Sequence, residues 1–379
     1  MGPWQPLHTG DPEHCGGFRL THRLGDGGFG TVFLGFRPDV SVPVAVKVFR
    51  SEYAGSELWR RRFLREIELI KEMAGVHTAA LVDSGGRDTP PWLATRYVHA
   101  PSLDRLVHLY GAFDHLCAWW LATGIGEALA EIHAKGILHR DLKPQNILVE
   151  QTGVKIIDFG ISRFTSGPGL TADSTFFGTH QYTANEHLLD PREASEKSDV
   201  FALGAVLVYA TTGRTPFQGI PPSERLAGRP PNLDGVPDEL YDLVESCLAT
   251  NAEHRPTALT VFRTALGHLA DFAVPLASET GLPLPPEIRD FLDEWRAVPI
   301  PVPELAVAAS GSAELGSTGS PRSGGASATG PARTPEARPG KRPNPAFDAA
   351  WLSRWRSAAE RRRDRYGGRR GPDGATDSK

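Results

Sequence analysis

Cysteine is scarce in this chain: three in 379 residues, Cys15, Cys117 and Cys247. An odd number so widely spaced forms neither a disulfide framework nor a metal-ligand cluster, and it points to a reducing, cytoplasmic setting. Long apolar runs are missing as well. No stretch approaches the roughly 18 apolar residues of a membrane-spanning helix, and the opening MGPWQPLHTGDPEHCGG has neither the basic start nor the apolar core of a secretory signal. Its Met-Gly start invites lipidation, but Pro6 stands where that motif takes Ser or Thr. A protein without a transmembrane segment is expected. His77, His99, His108, His115 and His133 lack the spacing of a zinc site, and no internal repeat is visible. With 40% hydrophobic and 23% charged residues, the composition excludes disorder throughout and suits a chain of about two lobes or domains.

Glycine and proline, at 40 and 32, are abundant by contrast, and unevenly placed. Residues 299–345 hold 16 of them in 47 positions with almost no aromatic side chain, too little apolar surface to offset the entropy of ordering, so this stretch reads as a disordered linker. Charge is uneven too. Residues 1–298 carry 27 Lys/Arg against 37 Asp/Glu, whereas residues 333–370 carry 12 against 4. Within that basic arm Phe347, Trp351 and Trp355 recur every four residues beside Arg354, Arg356 and the Arg361 to Arg363 run, which predicts a basic amphipathic helix over 346–366. Two readings stay open for it: docking onto an acidic partner, an anionic membrane surface or the chain's own body, and a merely solvated end. Nucleic acid is not expected.

Periodicity divides the body. Phe18 to Leu24 alternates, Thr31 to Phe36 is β-branched and aromatic, and Val42 to Phe49 reads VPVAVKVF, which predicts an antiparallel meander. A helix is predicted over Glu57 to Met73, with Leu58, Phe63, Ile67 and Ile70 on one stripe, then strands near Leu81 to Asp83 and Trp92 to Val98. Beyond Ser102 the period becomes 3.6. Phe113, Leu116, Trp120, Ile125, Leu129 and Ile132 mark one long buried helix, with more at Ser198 to Thr212, Asp238 to Ala249, Thr257 to Phe272 and Pro285 to Ala297.

Three motifs carry chemistry. Leu24-Gly25-Asp26-Gly27-Gly28-Phe29-Gly30-Thr31-Val32 lies between two predicted strands, and only backbone without Cβ folds closely over phosphates and offers them N–H groups. In Val44-Ala45-Val46-Lys47 a lysine sits within an apolar strand and needs a partner or ligand. Glu66, on the amphipathic helix, is positioned to face it, with Glu68 and Glu72 as competitors. Third is His139-Arg140-Asp141-Leu142-Lys143-Pro144-Gln145-Asn146, followed by Asp158-Phe159-Gly160.

Together with Ala184-Asn185-Glu186, these segments resemble the signature set of eukaryotic-like serine/threonine protein kinases, in the family's order and over about Phe18 to Phe272; the general look is of its bacterial branch. The resemblance implies an α+β, bilobal fold: a small antiparallel sheet lobe with one main helix and a larger, mostly helical lobe. It implies transfer of the γ-phosphate of ATP to Ser or Thr of protein substrates, with Mg²⁺ or Mn²⁺. Lys47, held by Glu66, would bind the α- and β-phosphates beneath the loop Leu24 to Val32. Asn146 and Asp158 would hold the metal. Asp141 would orient the acceptor hydroxyl and take its proton, and Lys143 would stabilise the transferring phosphate. Val32, Ala45, Thr95, Tyr97 and Leu148 would surround the adenine, and Arg96 stands where relatives often carry Glu. Residues Ile161 to Thr183 correspond to the activation loop, whose Thr171, Ser174 and Thr175 are candidates for autophosphorylation read out by Arg140. Thr179 resembles the residue that contacts the substrate-side loop, and Asp199 the one that holds the catalytic-loop backbone. Asn185 replaces the family's proline, while Glu186 retains Arg255 as a partner.

The expected layout is a flexible N-terminus over 1–17 and a kinase domain over 18–273, divided at 97/98. A helical extension over 274–298 follows, then the linker over 299–345, the basic helix over 346–366 and a disordered tail over 367–379. Two alternatives remain: a pseudokinase scaffold, against which Lys47, Glu66, Asp141, Asn146 and Asp158 argue, and a small-molecule kinase of similar fold, against which the activation loop and Ala-x-Glu segment argue.

Overall fold

The first third of the chain is sheet because its apolar residues alternate. In the computed structural model, residues 4–28, 30–51, 57–71, 77–158, 179–271 and 283–303 are described, all within a compact unit spanning Met1–Val307. Most of the expected linker, the basic helix over 346–366 and the tail over 367–379 lie outside the described residues, as do Phe29 and residues 159–178, which include Thr171, Ser174 and Thr175.

Strands β1 (Gln5–Pro6), β2 (His14–Cys15), β3 (Phe18–Gly27), β4 (Gly30–Arg37) and β5 (Val40–Phe49) precede helix α1 (Glu57–Lys71); β6 (Leu81–Gly85) and β7 (Trp92–Arg96) follow it. The sheet order is β1-β3-β4-β5-β7-β6, with β2 also on β3, and every pairing is antiparallel. Alternation on β5 sets the two faces: Val44 and Val46 are fully buried with Phe18, Phe33 and Trp92, while Ala45 and Lys47 are half-buried on the opposite side. The remaining apolar side chains fix α1. Phe63 and Ile67 pack with Phe49 and Leu93, and Trp59 stacks on Phe63 with ring centroids 4.8 Å apart, the geometry that aromatic pairs favour.

One expectation fails at the start. The stretch over 1–17 was expected to be flexible, yet β1 pairs with Arg23 and His22 of β3 and β2 with Arg19 and Phe18. The cause is long-range. Asp11 accepts from both the Nε and Nη2 of Arg23 at 2.6 Å, a bidentate fork that holds the Asp11 carboxyl down at about 2. The Trp4 indole N–H donates to the Tyr97 hydroxyl at 3.0 Å and its ring stacks on His99.

The larger lobe comprises α2 (Leu103–Tyr110), α3 (His115–His133), β8 (Ile147–Glu150), β9 (Gly153–Ile156), α4 (Asn185–Leu189), α5 (Glu196–Thr212), α6 (Pro222–Leu226), α7 (Asp238–Cys247), α8 (Ala258–Asp271) and α9 (Pro286–Ala297). Helix α2 precedes the long helix expected around Phe113 to Ile132 and is separate from it. The Ser102 side chain caps its start, and Gly111, at φ 83°, ends it; Asp114 then caps α3, as short polar residues do at an N-terminus. Helices α3 and α5 are apolar almost all round and form the centre of this core, which identifies them as interior helices. The close approach of α8 to α3 requires Gly126, where a Cβ would lie 2.9 Å from the Phe262 nitrogen. Helix α9 adds Ile288 and Leu292 to the core, and its Val298 carbonyl accepts from His99. The observed architecture is the expected one: a small antiparallel sheet with one helix, joined to a larger helical lobe.

Candidate active site

The glycine run forms the β3–β4 hairpin. Gly25 faces Val32, Asp26 faces Thr31 and Gly27 faces Gly30 across it. Gly30 is required by close approach, since a Cβ there would lie 2.1 Å from the Val48 carbonyl oxygen. At Gly25 and Gly28 an added Cβ would meet nothing within 4 Å, so open space lies beside bare backbone, as a phosphate cradle demands. Asp26 accepts from the Thr31 hydroxyl at 3.1 Å and from Arg23 at 3.2 Å; both side chains brace the hairpin, and the paired carboxylate repels an anion less.

Register collects the apolar wall. Val32 lies opposite Lys47, Ala45 opposite Thr95, and within the larger lobe Leu148 bridges to Ser102. Leu24, Val32, Ala45, Thr95, Tyr97 and Leu148 are all half-buried, unlike the fully buried residues that alternate with Ala45. Tyr97 is largely committed elsewhere: its N–H donates to Pro43, its hydroxyl takes the Trp4 bond, and burial pushes the phenol up to about 12. The Val98 N–H makes no hydrogen bond among the described residues. At the segment joining the lobes it is a candidate donor to a bound nucleotide, one that side-chain motifs could not reveal.

Across the cleft lies the catalytic loop. Asp199, buried on α5, accepts the His139 N–H and the Arg140 N–H at 2.8 Å each and also bonds His133 Nε2 at 2.8 Å. Burial opposes ionisation of Asp199, but the hydrogen bonds from His133 and the Arg140 N–H help to outweigh it and keep the carboxyl below its usual range. This clamp holds Arg140 at φ 64°, left-handed backbone that a non-glycine residue occupies only when its surroundings impose it. His139 Nε2 donates to the Ile157 carbonyl at 3.1 Å, and complete burial keeps its imidazole neutral to lower pH. Asp141 is then met by Lys143 Nζ at 2.9 Å and Asn146 Nδ2 at 3.2 Å, the latter also donating to the Asp141 carbonyl at 2.8 Å. With its nitrogen so engaged, Asn146 retains its amide oxygen for a cation.

Asp158, at φ 63°, meets Lys47 Nζ at 3.0 Å. Burial raises the carboxyl, but the Lys47 ammonium wins and holds it below the usual carboxylate range. Asp158 therefore stays anionic, which suits it and the Asn146 oxygen to a hard divalent cation. The expected Lys47–Glu66 pair is not made. Glu66, buried on α1, lies 3.7 Å from Arg140 Nη1, and Lys47 turns to Asp158, so each carboxylate has a cation in a different combination. Glu186 does meet Arg255, through Nη1 at 2.6 Å and Nη2 at 3.0 Å. Tyr182 and Thr183 line a small cleft with Arg140, Asp141 and Leu142.

A family model described as the protein kinase domain matches residues 18–266. The chain is 43% identical over 262 residues to the serine/threonine-protein kinase AfsK of Streptomyces coelicolor, covering 68% of this chain and 33% of that protein; it thus spans about a third of that relative's length. It is 31% identical over 271 residues to the serine/threonine-protein kinase PknL of Mycobacterium tuberculosis, covering 69% of this chain and 66% of that one. The crystal structure of the Mycobacterium tuberculosis PknI kinase domain is similar in fold, with a TM-score of 0.54, 23% identity, and coverage of 69% of this chain and 99% of that one.

Proposed function

The chain belongs to the protein kinase family, and from that premise we propose that it is an ATP-dependent serine/threonine protein kinase acting on protein substrates. One observation carries the reading: Lys47 of the sheet lobe and Asp158 of the helical lobe meet at 3.0 Å, beside a catalytic loop in which Asp141, Lys143 and Asn146 form one hydrogen-bonded set. The family uses ATP and a divalent cation; Mg²⁺ is the cation we assign, with Mn²⁺ as the substitute.

Phosphoryl transfer needs in-line positioning and charge neutralisation more than covalent help. Lys47 moves from Asp158 to the α- and β-phosphates beneath the hairpin from Leu24 to Val32, where Gly25, Gly27, Gly28 and Gly30 keep the backbone close. Asp158 and Asn146 would hold the metal, which when bound would supply neutralisation of negative charge. Asp141 aligns the acceptor hydroxyl and takes its proton, while Lys143, 2.9 Å from Asp141, faces the transferring phosphate. Glu66 positions Lys47 once Arg140 is drawn away, for which a phosphate on Thr171 or Thr175 is the proposed agent.

Incubating the full chain with γ-labelled ATP and Mg²⁺, followed by phosphoamino-acid analysis, tests this reading. Phosphoserine or phosphothreonine on the chain or on myelin basic protein is expected; no label with either Mg²⁺ or Mn²⁺ favours a scaffold. Phosphosite mapping with an Asp141→Ala control tests the activation-loop sites. The three cysteines are free thiols, in keeping with a reducing, cytoplasmic setting that fractionation tests. For the basic segment over 346–366, an acidic protein or anionic surface is the proposed contact, tested by deleting residues 299–379.

A further inference from the structure

Arg225, on α6, is 2% exposed and has no carboxylate within ion-pair distance among the described residues. Its guanidinium lies 4.0 Å from the Phe217 ring centroid and 5.0 Å from that of Phe201. Burial draws its basicity down to about 10. The Glu186 carboxylate raises that basicity from beyond contact distance; a buried cation with no directly paired anion is costly, so where its hydrogen bonds go is informative. Nη1 donates to the His180 carbonyl at 2.7 Å and Nη2 to the Thr183 carbonyl, while Nε finds no acceptor. One planar fork thus spans both ends of the segment His180-Gln181-Tyr182-Thr183, which only arginine among the cations can do. A third tie, from the Thr215 hydroxyl to Gln181 Oε1 at 3.1 Å, fixes the same segment from the α5–α6 connection.

The location of this segment gives the fork its meaning. Tyr182 and Thr183 share a cleft with Arg140, Asp141 and Leu142, so they wall the loop that carries the proposed base. We propose that Arg225 is a positioning residue for the protein acceptor, its fork setting the backbone of residues 180–183 against which the peptide docks. This rests on the kinase reading and extends it to the acceptor side. Arg225 touches neither nucleotide nor reacting atoms, and its effect falls on acceptor binding rather than on ATP.

The test uses the full chain, Mg²⁺-ATP and myelin basic protein, with Arg225→Met, which keeps the apolar contact with Phe201 and Phe217 but has no donors, and Arg225→Lys, which keeps the charge but not the fork. Expected for Arg225→Met is a rise of about tenfold or more in KM for the protein acceptor. KM for ATP and the rate of ATP hydrolysis with water as acceptor should stay within about twofold. Arg225→Lys should show the same pattern, less pronounced. Unchanged acceptor KM in either folded variant overturns the assignment, and so does a parallel loss of acceptor use, ATP binding and hydrolysis. If Arg225→Met does not fold, Arg225→Lys decides; failure of both to fold also overturns it, since the fork is then a requirement of folding. A wild-type chain that labels no protein defeats the kinase reading itself, whereas an active wild type with unaffected variants defeats the Arg225 role alone.

Discussion

The Lys47 ammonium lies 3.0 Å from the Asp158 carboxylate, closing the cleft between the lobes across 111 positions of sequence. Each group solves the other's problem: a lysine in an apolar strand gains an anion, and the carboxylate proposed as a metal ligand stays ionised. Replacing Lys47 by Met should lower kcat/KM by roughly a hundredfold or more, the order lost when one preorganised contact to developing charge is removed. Steady-state kinetics against ATP checks this.

Acidification should destabilise the fold through the buried His139 and the half-buried His22, His180 and His187. Burial lowers the pKa of His139, and of His22, His180 and His187, so these rings stay neutral in the native state while the unfolded chain takes up protons below about pH 6.5. Their contribution is present above that value and is lost as pH falls toward their folded values. His77 opposes the trend: burial lowers its pKa, but its bond to Glu127 outweighs this and the net shift is upward. Denaturant unfolding between pH 7.5 and 5.5 should show stability falling by up to about 1.4 kcal/mol per pH unit for each fully shifted ring.

Arg255 is fully buried and Glu186 about a quarter exposed, at 24%, and Ser198 adds a hydrogen bond to Glu186 at 2.9 Å. Glu186→Gln leaves the Arg255 cation without its anion and should cost about 3 kcal/mol, the lower end for breaking a buried pair. Urea unfolding reads the loss directly. The Asn185 side-chain oxygen next to this pair is buried without a hydrogen bond, which marks the local consequence of having no proline there.

The N-terminus should contribute measurably, because Trp4 bonds Tyr97 and stacks on His99 at the segment joining the lobes. Trp4→Ala should lower stability by about 1–2 kcal/mol, combining one hydrogen bond with one aromatic contact. Tyr97→Phe should reproduce the hydrogen-bond part, about 1 kcal/mol. Thermal melts of both variants check the division.

Legibility followed the range of the interactions. The β3–β4 hairpin and the faces of β5 could be read because alternation is local, and the candidate Asp141, Asn146 and Asp158 because their motifs are contiguous. Gly111 and Asp114 mark the break between α2 and α3, but the apolar stripe before Phe113 was too short to announce a second helix. The N-terminal strands could not be read at all, since what orders them is Arg23 and Tyr97, 12 and 93 positions away. The partner Glu66 takes in this structure is hidden from the sequence for a related reason: it depends on how α1 sits relative to Arg140, whose Nη1 lies 3.7 Å from Glu66. Arg225 carries no sequence signal, because its partners are backbone carbonyls.

The most direct test of the central claim separates binding from chemistry at Asp141. In a single-turnover experiment with γ-labelled ATP, Mg²⁺ and myelin basic protein, Asp141→Asn should bind ATP within about threefold of wild type. Its transfer to Ser or Thr should fall by roughly a hundredfold or more, the scale of losing a positioned base. Transfer that persists at the wild-type rate in Asp141→Asn, or a wild-type chain that binds ATP and transfers nothing, would contradict the account.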